Sequence, residues 1–306
     1  MTTRALGPGA GWGWLKQAIN LGRHNPKAIF GAAALLAVVA LIPSVIQICL
    51  QYGAGVGPQA MLTVVGVMTL VMIVLYPLLI GGLLRVIDAS ENGRPTRATA
   101  LFDTFRAGNG AARLIGFGVL ITVIYIAAFV AVIGLFGEDF LAWYMQLITS
   151  GMQAGGSAPA AITSLPEGFG TVMALGILVG LFFFGVYAIG FGQVALGGRG
   201  IGAALADGVV GTLKNLLPIL VLAVIAIVLL IALTLIVGLL GALLALVGGL
   251  VHEVFAFVLL LPLYLAMLLV LYVVMFGVMY FMWRDVCGGG SASPAAPAAA
   301  GNQVEL

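Results

Sequence analysis

Six long apolar stretches, separated by short polar segments, run along the 306-residue chain. They predict membrane-crossing helices over residues 28–50, 61–84, 114–136, 169–192, 216–237 and 261–282. Each has the roughly 20 apolar residues that carry a helix across ~30 Å of hydrocarbon at ~1.5 Å per residue. The pattern predicts an all-α integral membrane protein, a six-span helical bundle over residues 28–283. A leader (1–27) precedes it, and a tail (284–306) with almost nothing to bury follows and is expected to be disordered.

The region 216–282 is apolar almost throughout and is long enough for three crossings, or for two with a non-spanning piece between them. Two are favoured. Gly238, Gly241, Gly248 and Gly249 punctuate the middle, and His252-Glu253 is cheap only at an interface. Pro262 would then occupy the first turn of the last span, where it sacrifices no hydrogen bond. Phe140, Trp143, Tyr144 and Leu147 recur at helical spacing behind two acids and predict a short interfacial helix. The Gly/Ala/Ser-rich run 150–161 reads as a connector. Gly176 and Gly180 favour a close helix contact, within the protein or between copies.

Composition agrees: 63% of residues are hydrophobic, 7% are charged and 44 are glycine, far from a water-soluble domain, where about a quarter are charged. The charges fix a direction. All twelve Lys and Arg fall before the first stretch, after every second one, or after the last. They share those segments with six acids, whereas the other side carries Glu138, Asp139, Glu167 and Glu253 and no base. Lys and Arg near span ends stay cytoplasmic, so both termini are expected on the cytoplasmic side of the membrane. No cleavable signal is expected, because the leader is polar and the first apolar run is long enough to span. Cys49 and Cys287 are expected at opposite faces, where they cannot bridge.

A unit recurs at the basic side. Trp14, Leu15, Ala18, Ile19 and Gly22 form one helical stripe, followed by Asn25-Pro26, a cap residue and a first-turn proline. Ile201, Leu205, Gly208 and Val209 form another, with Asp207 and Lys214 opposite, before Asn215 and Pro218. Ala98, Leu101, Phe102 and Phe105 form a third, flanked by Arg97, Asp103 and Arg106, with Asn109 at a different offset. The expectation is three units, each an interfacial amphipathic helix followed by a transmembrane hairpin. The apolar faces would enter the acyl boundary or pack on neighbouring spans, and the basic faces would meet anionic headgroups. Candidate lipid contacts on the inner leaflet are Trp14, Lys16, Arg23, Lys27, Arg97, Arg106, Arg113, Arg199 and Lys214.

The pattern Gly-Trp-Gly-Trp-Leu (11–15), Arg-His-Asn-Pro (23–26), Arg-Pro (94–95) and Leu-Phe-x-x-Phe (101–105) resembles uncharacterised multi-pass inner-membrane proteins of proteobacteria. Ala-Leu-Ala-Asp (204–207) with Leu-Lys-Asn (213–215) is distantly similar to the membrane domain of some glycerophosphodiester phosphodiesterases. The resemblance covers about residues 12–283 and lacks those enzymes' soluble catalytic domain. It implies a fold and a compartment but no activity.

Chemistry is sparse. His24 and His252 are expected on opposite sides, and the second His of a zinc-helix motif after His252-Glu253 is replaced by Ala256. No cofactor or metal is expected, and bases split among short segments beside a bilayer do not make a nucleic-acid groove. No ionisable group falls inside the drawn spans; their polar residues are mild, among them Gln47, Thr69, Thr122, Tyr187, Tyr264 and Tyr272. Tyr264, Tyr272 and Tyr280 recur every eight residues, as a packing stripe or a groove lining. Three functions follow. The first is a non-enzymatic inner-membrane protein that organises lipid or a partner membrane protein, with homo-oligomers allowed. The second is a facilitative transporter, or a transporter subunit, for an apolar or zwitterionic solute. The third is a membrane enzyme acting on lipid headgroups.

Overall fold

The computed structural model describes residues 3–137, 139–153 and 165–288. Every element there is helical: α1 (Ala10–Ile19), α2 (Pro26–Ile48), α3 (Pro58–Glu91), α4 (Ala111–Phe136), α5 (Phe140–Gln153), α6 (Phe169–Ala195), α7 (Ile201–Lys214), α8 (Leu216–Val251) and α9 (Glu253–Cys287). A π-helical turn (Cys49–Gly53) ends α2, and a 3₁₀ segment (Ala98–Phe105) precedes α4. Six helices are long and apolar enough to cross a membrane, which makes the chain a multi-pass membrane protein. The expected tail beyond residue 288, most of the 150–161 connector and Glu138 lie outside the described residues.

Several boundaries differ from the sequence reading. α8 runs unbroken through Gly238, Gly241, Gly248 and Gly249 to Val251, and α9 starts at Glu253, so His252 alone separates them. Pro262 therefore lies inside α9 and not in its first turn. In apolar surroundings a broken helix leaves backbone groups unsatisfied, so glycines that would end a helix in water are carried within it. The third stripe is 3₁₀, not α. With three residues per turn it buries Leu101 and Thr104, leaving Phe102 and Phe105 exposed.

The tightly packed core occupies the half of the bundle nearest the basic segments. Buried residues cluster at 28–37 of α2, 78–87 of α3, 114–121 of α4, 185–195 of α6 and 273–287 of α9. Glycine makes this density possible. A Cβ on Gly82 would strike the Leu101 carbonyl, one on Gly11 the Pro218 carbonyl, and one on Gly190 the Phe117 ring. In the other half, Gly66, Gly134, Gly180 and Gly238 have nothing within 4 Å. The expected close contact at Gly176 and Gly180 is thus made only at Gly176, against Phe129.

Each short element covers a hairpin other than the one it precedes. α1 lies on α8 and α9, the 3₁₀ segment on α2 and α3, and α7 on α6 and α4. Side chains fasten the arrangement. Asn25 caps α2 through Ala28 N (3.2 Å) and donates through Nδ2 to Thr96 O (3.3 Å). Arg113 Nη1 donates to Gly198 O (2.8 Å). Asn215, fully buried, donates to Arg4 O (2.8 Å) and accepts from Leu6 N (2.9 Å) in place of capping α8. Arg4 N also donates to Val286 O (2.9 Å), so the ring of contacts closes on the amino-terminal segment.

Candidate functional site

Toward the loosely packed half, α2, α3, α4, α6 and α9 enclose a cavity of about 570 Å³. Its α3 lining runs from Val64 to Ile80, roughly 24 Å of helix at 1.5 Å per residue. That is most of the ~30 Å of a hydrocarbon core. Pro43 of α2 and Pro77 of α3 stand in the wall; neither has an N–H to give the carbonyl four residues back. Ser44, Gln47, Val65 and Thr69 are exposed at one end. At the other end the cavity meets Tyr76, Tyr187 and Tyr272, one residue from each of α3, α6 and α9.

Beyond the tyrosines the bundle is sealed. Leu79, Leu83, Leu114, Phe117 and Phe191 are each at most 1% exposed. The Phe117 and Phe191 rings meet edge-on, with centroids 5.0 Å apart, and Gly190 makes room for Phe117.

All the polar groups lining the cavity are neutral, and they divide by hydrogen-bonding capacity. Thr69 Oγ1 donates to Val65 O (2.8 Å) and Thr122 Oγ1 to Gly118 O (2.7 Å), so these hydroxyls have only lone pairs left to offer. The hydroxyls of Tyr76, Tyr187 and Tyr272 make no hydrogen bond among the described residues. Each of these hydroxyls keeps a proton to give, so three of them lining one space suit a guest that accepts hydrogen bonds. A smaller groove of about 290 Å³, between α4 and α6, shares Thr122 and Tyr187 with the cavity and is walled by Tyr125, Phe183 and Phe184.

On the basic side a cleft of about 700 Å³ collects Arg85, Asp88, Arg94, Arg97 and Asp103. Arg85 ties helix ends together, donating through Nε to Ala195 O (3.1 Å) and through Nη2 to Asn109 O (2.8 Å). Asp88 accepts from Tyr280 Oη (3.1 Å) and Asn92 Nδ2 (3.0 Å) and pairs with Arg94. Nearby, fully buried Gln193 donates to Asp207 Oδ2 (2.7 Å) and accepts from Trp283 Nε1 (3.3 Å), while Arg199 pairs with Asp207 at 3.0 Å. Asp207, expected on the polar face opposite the apolar stripe, is therefore part of an internal network.

The residues picked from sequence as lipid contacts fare unequally. Trp14 is wholly buried and donates through Nε1 to Asp285 Oδ2 (3.1 Å), so it touches protein and not lipid. Its stripe found α8 and α9 because Gly11 lets the backbones meet. Lys16, Arg23, Lys27 and Arg97 are exposed, and their side chains make no hydrogen bond or ion pair among the described residues. Arg106 faces Asp103 (3.4 Å), Arg113 binds Gly198 O, Arg199 binds Asp207, and Lys214 Nζ donates to Thr3 O (3.0 Å). Arg85 was missed. As the one base within α3, half-buried and one residue past the drawn span, it had a readable signal. The cavity had almost none, because five helices build it from neutral residues. Cys49 is exposed and Cys287 buried, and neither forms a disulfide. Among the described residues no three His, Cys, Asp or Glu are grouped as a metal site. Comparisons with family models, curated proteins and solved structures return no match to this chain.

Proposed function

We propose that the protein is a facilitative carrier of the bacterial inner membrane, taking an apolar or zwitterionic, lipid-like solute into the cavity between α2, α3, α4, α6 and α9. The carrying observation is an uncharged, hydroxyl-lined cavity that extends along most of a membrane-crossing helix and stops at an aromatic plug. An apolar wall with a few neutral polar groups suits a solute that would otherwise meet an energy barrier at its polar end. It offers no buried charge for an ion or an anion to pair with. Both termini and the basic cleft are cytoplasmic in this reading, following the distribution of Lys and Arg. The three short elements, each fastened to a neighbouring hairpin, form the repeated unit of the architecture.

The test is reconstitution into liposomes that carry a fluorescent zwitterionic phospholipid, with dithionite quenching the outer leaflet. Loss of the protected signal is expected to be faster with protein than without it. Thr122→Trp, which fills the cavity centre, is expected to return the rate to that of empty vesicles. Equal rates in all three preparations would remove the carrier reading.

A second reading, a non-enzymatic organiser of anionic lipid or of a partner membrane protein, is favoured by exposed Lys16, Arg23, Lys27 and Arg97 on one face. Flotation with anionic against zwitterionic vesicles decides it, at about 1 kcal/mol per base near the surface.

A further inference from the structure

Tyr76, Tyr187 and Tyr272 share more than a cavity. Each is followed five residues later by a glycine, Gly81, Gly192 and Gly277, and each pair sits on the second crossing helix of a hairpin. Five residues turn a helix by roughly 140° beyond a full circle, so tyrosine and glycine face different neighbours. The glycine sides are occupied by protein. A Cβ on Gly81 would meet Leu114 at 2.7 Å, one on Gly277 would meet Ala18 at 2.9 Å, and one on Gly192 would collide with the Trp283 ring. Close seating at the glycine fixes the rotation of each helix, and that rotation turns its tyrosine to the shared space.

From this geometry we infer that the three tyrosine hydroxyls form one recognition cluster, which donates hydrogen bonds to a carbonyl group on a neutral, lipid-soluble guest. The inference rests on the cavity being a binding space, as proposed above, and names the chemistry it selects. A hydroxyl can donate or accept, but the other polar groups at this depth narrow the choice. Thr122 has already given its proton to Gly118 O, so it competes for donors and supplies none. The space therefore has spare protons on the tyrosines, and a guest must bring acceptors. A carbonyl oxygen has two lone pairs, no charge and a small desolvation cost. The aromatic groove that shares Thr122 and Tyr187 with the cavity gives the apolar remainder a place to lie. Carbonyls of this kind come from a glycerolipid ester or from a ring ketone such as a quinone, and the experiment separates them.

Equilibrium binding to the full-length protein in nanodiscs is measured with three radiolabelled probes: dioctanoylglycerol, a short-chain benzoquinone, and a long-chain alkane without oxygen. At least one carbonyl probe is expected to bind more tightly than the alkane, and the tighter of the two identifies the source. Tyr76→Phe, Tyr187→Phe and Tyr272→Phe keep the ring and lose only the donor, so each is expected to weaken that probe by about three- to ten-fold. The alkane should be unaffected. Thr149→Val, on α5 away from the cavity lining, removes a hydroxyl already donated to Met145 O and should leave carbonyl affinity within about two-fold. Melting temperatures close to wild type show that the variants fold. The inference is overturned if both carbonyl probes bind no better than the alkane, or if the three phenylalanine variants match wild type. In either case the lipid-flipping assay above still judges the carrier reading separately.

Discussion

Asp88 is held by Tyr280, Asn92 and Arg94, which joins α3 to α9 at the basic face. Replacing Tyr280 with Phe removes one donor to a carboxylate that keeps its arginine. A loss of about 1 kcal/mol in unfolding free energy is expected, measured by denaturation in mild detergent. Asn215 carries more, because it is buried and serves Arg4, Leu6 and Gly211 together. Asn215→Ala strands a backbone N–H and C=O and is expected to cost about 2–3 kcal/mol in the same measurement. The tyrosines of α9 show where residue-level reading stops. An eight-residue spacing overshoots two turns by about 80° per step, so the three rings leave a common face: Tyr264 is exposed, Tyr272 lines the cavity and Tyr280 is buried. Likewise, Trp14, Leu15 and Ala18 of the expected α1 stripe are buried whereas Ile19 is exposed, and the pattern did not name their partner. Trp14 reads the same in sequence whether lipid or α9 covers it.

At the scale of elements, glycine divides the molecule. Gly82→Leu drives a side chain into the Leu101 carbonyl and should displace the 3₁₀ segment. A loss of about 3 kcal/mol or more is expected, in the range of severe overpacking. Gly180→Leu enters open space and is expected to change stability by less than about 0.5 kcal/mol. Thermal melts of the two variants side by side check both. Six crossing helices were legible, because about twenty apolar residues in a row have few other uses. Their ends were not. α8 has 36 residues and α9 has 35, each more than 50 Å at about 1.5 Å per residue. Both outrun a ~30 Å hydrocarbon layer, so they must tilt or project from it. Glycine and proline rules calibrated on helices in water mark boundaries that an apolar environment erases.

At the scale of the whole molecule, charge and packing coincide: the half of the bundle bearing the twelve bases is also the half with the core. Single cysteines at Arg97 and at Thr63, placed in a chain with Cys49 and Cys287 replaced by Ser, are expected to react from opposite sides. In intact cells, an impermeant maleimide should label Thr63→Cys and spare Arg97→Cys. Labelling of Arg97→Cys from outside, with Thr63→Cys spared, would reverse the charge-based orientation. The expected orientation comes from charge near span ends, which is a one-dimensional signal. The cavity is three-dimensional, assembled from residues such as Ser44, Thr122 and Tyr272, which lie far apart in sequence and carry no pattern of their own.

Arg4 rests against Val286, near the far end of the described chain, and Leu6 against Asn215, just before α8. A ribosome releases these partners in the opposite order to their need. α1 waits, with its tryptophan lacking Asp285, until the α8–α9 hairpin has entered the bilayer. Assembly of the basic face is thus completed late, because a nascent chain halted before α9 offers its beginning Asn215 and α8 but neither Asp285 nor Val286.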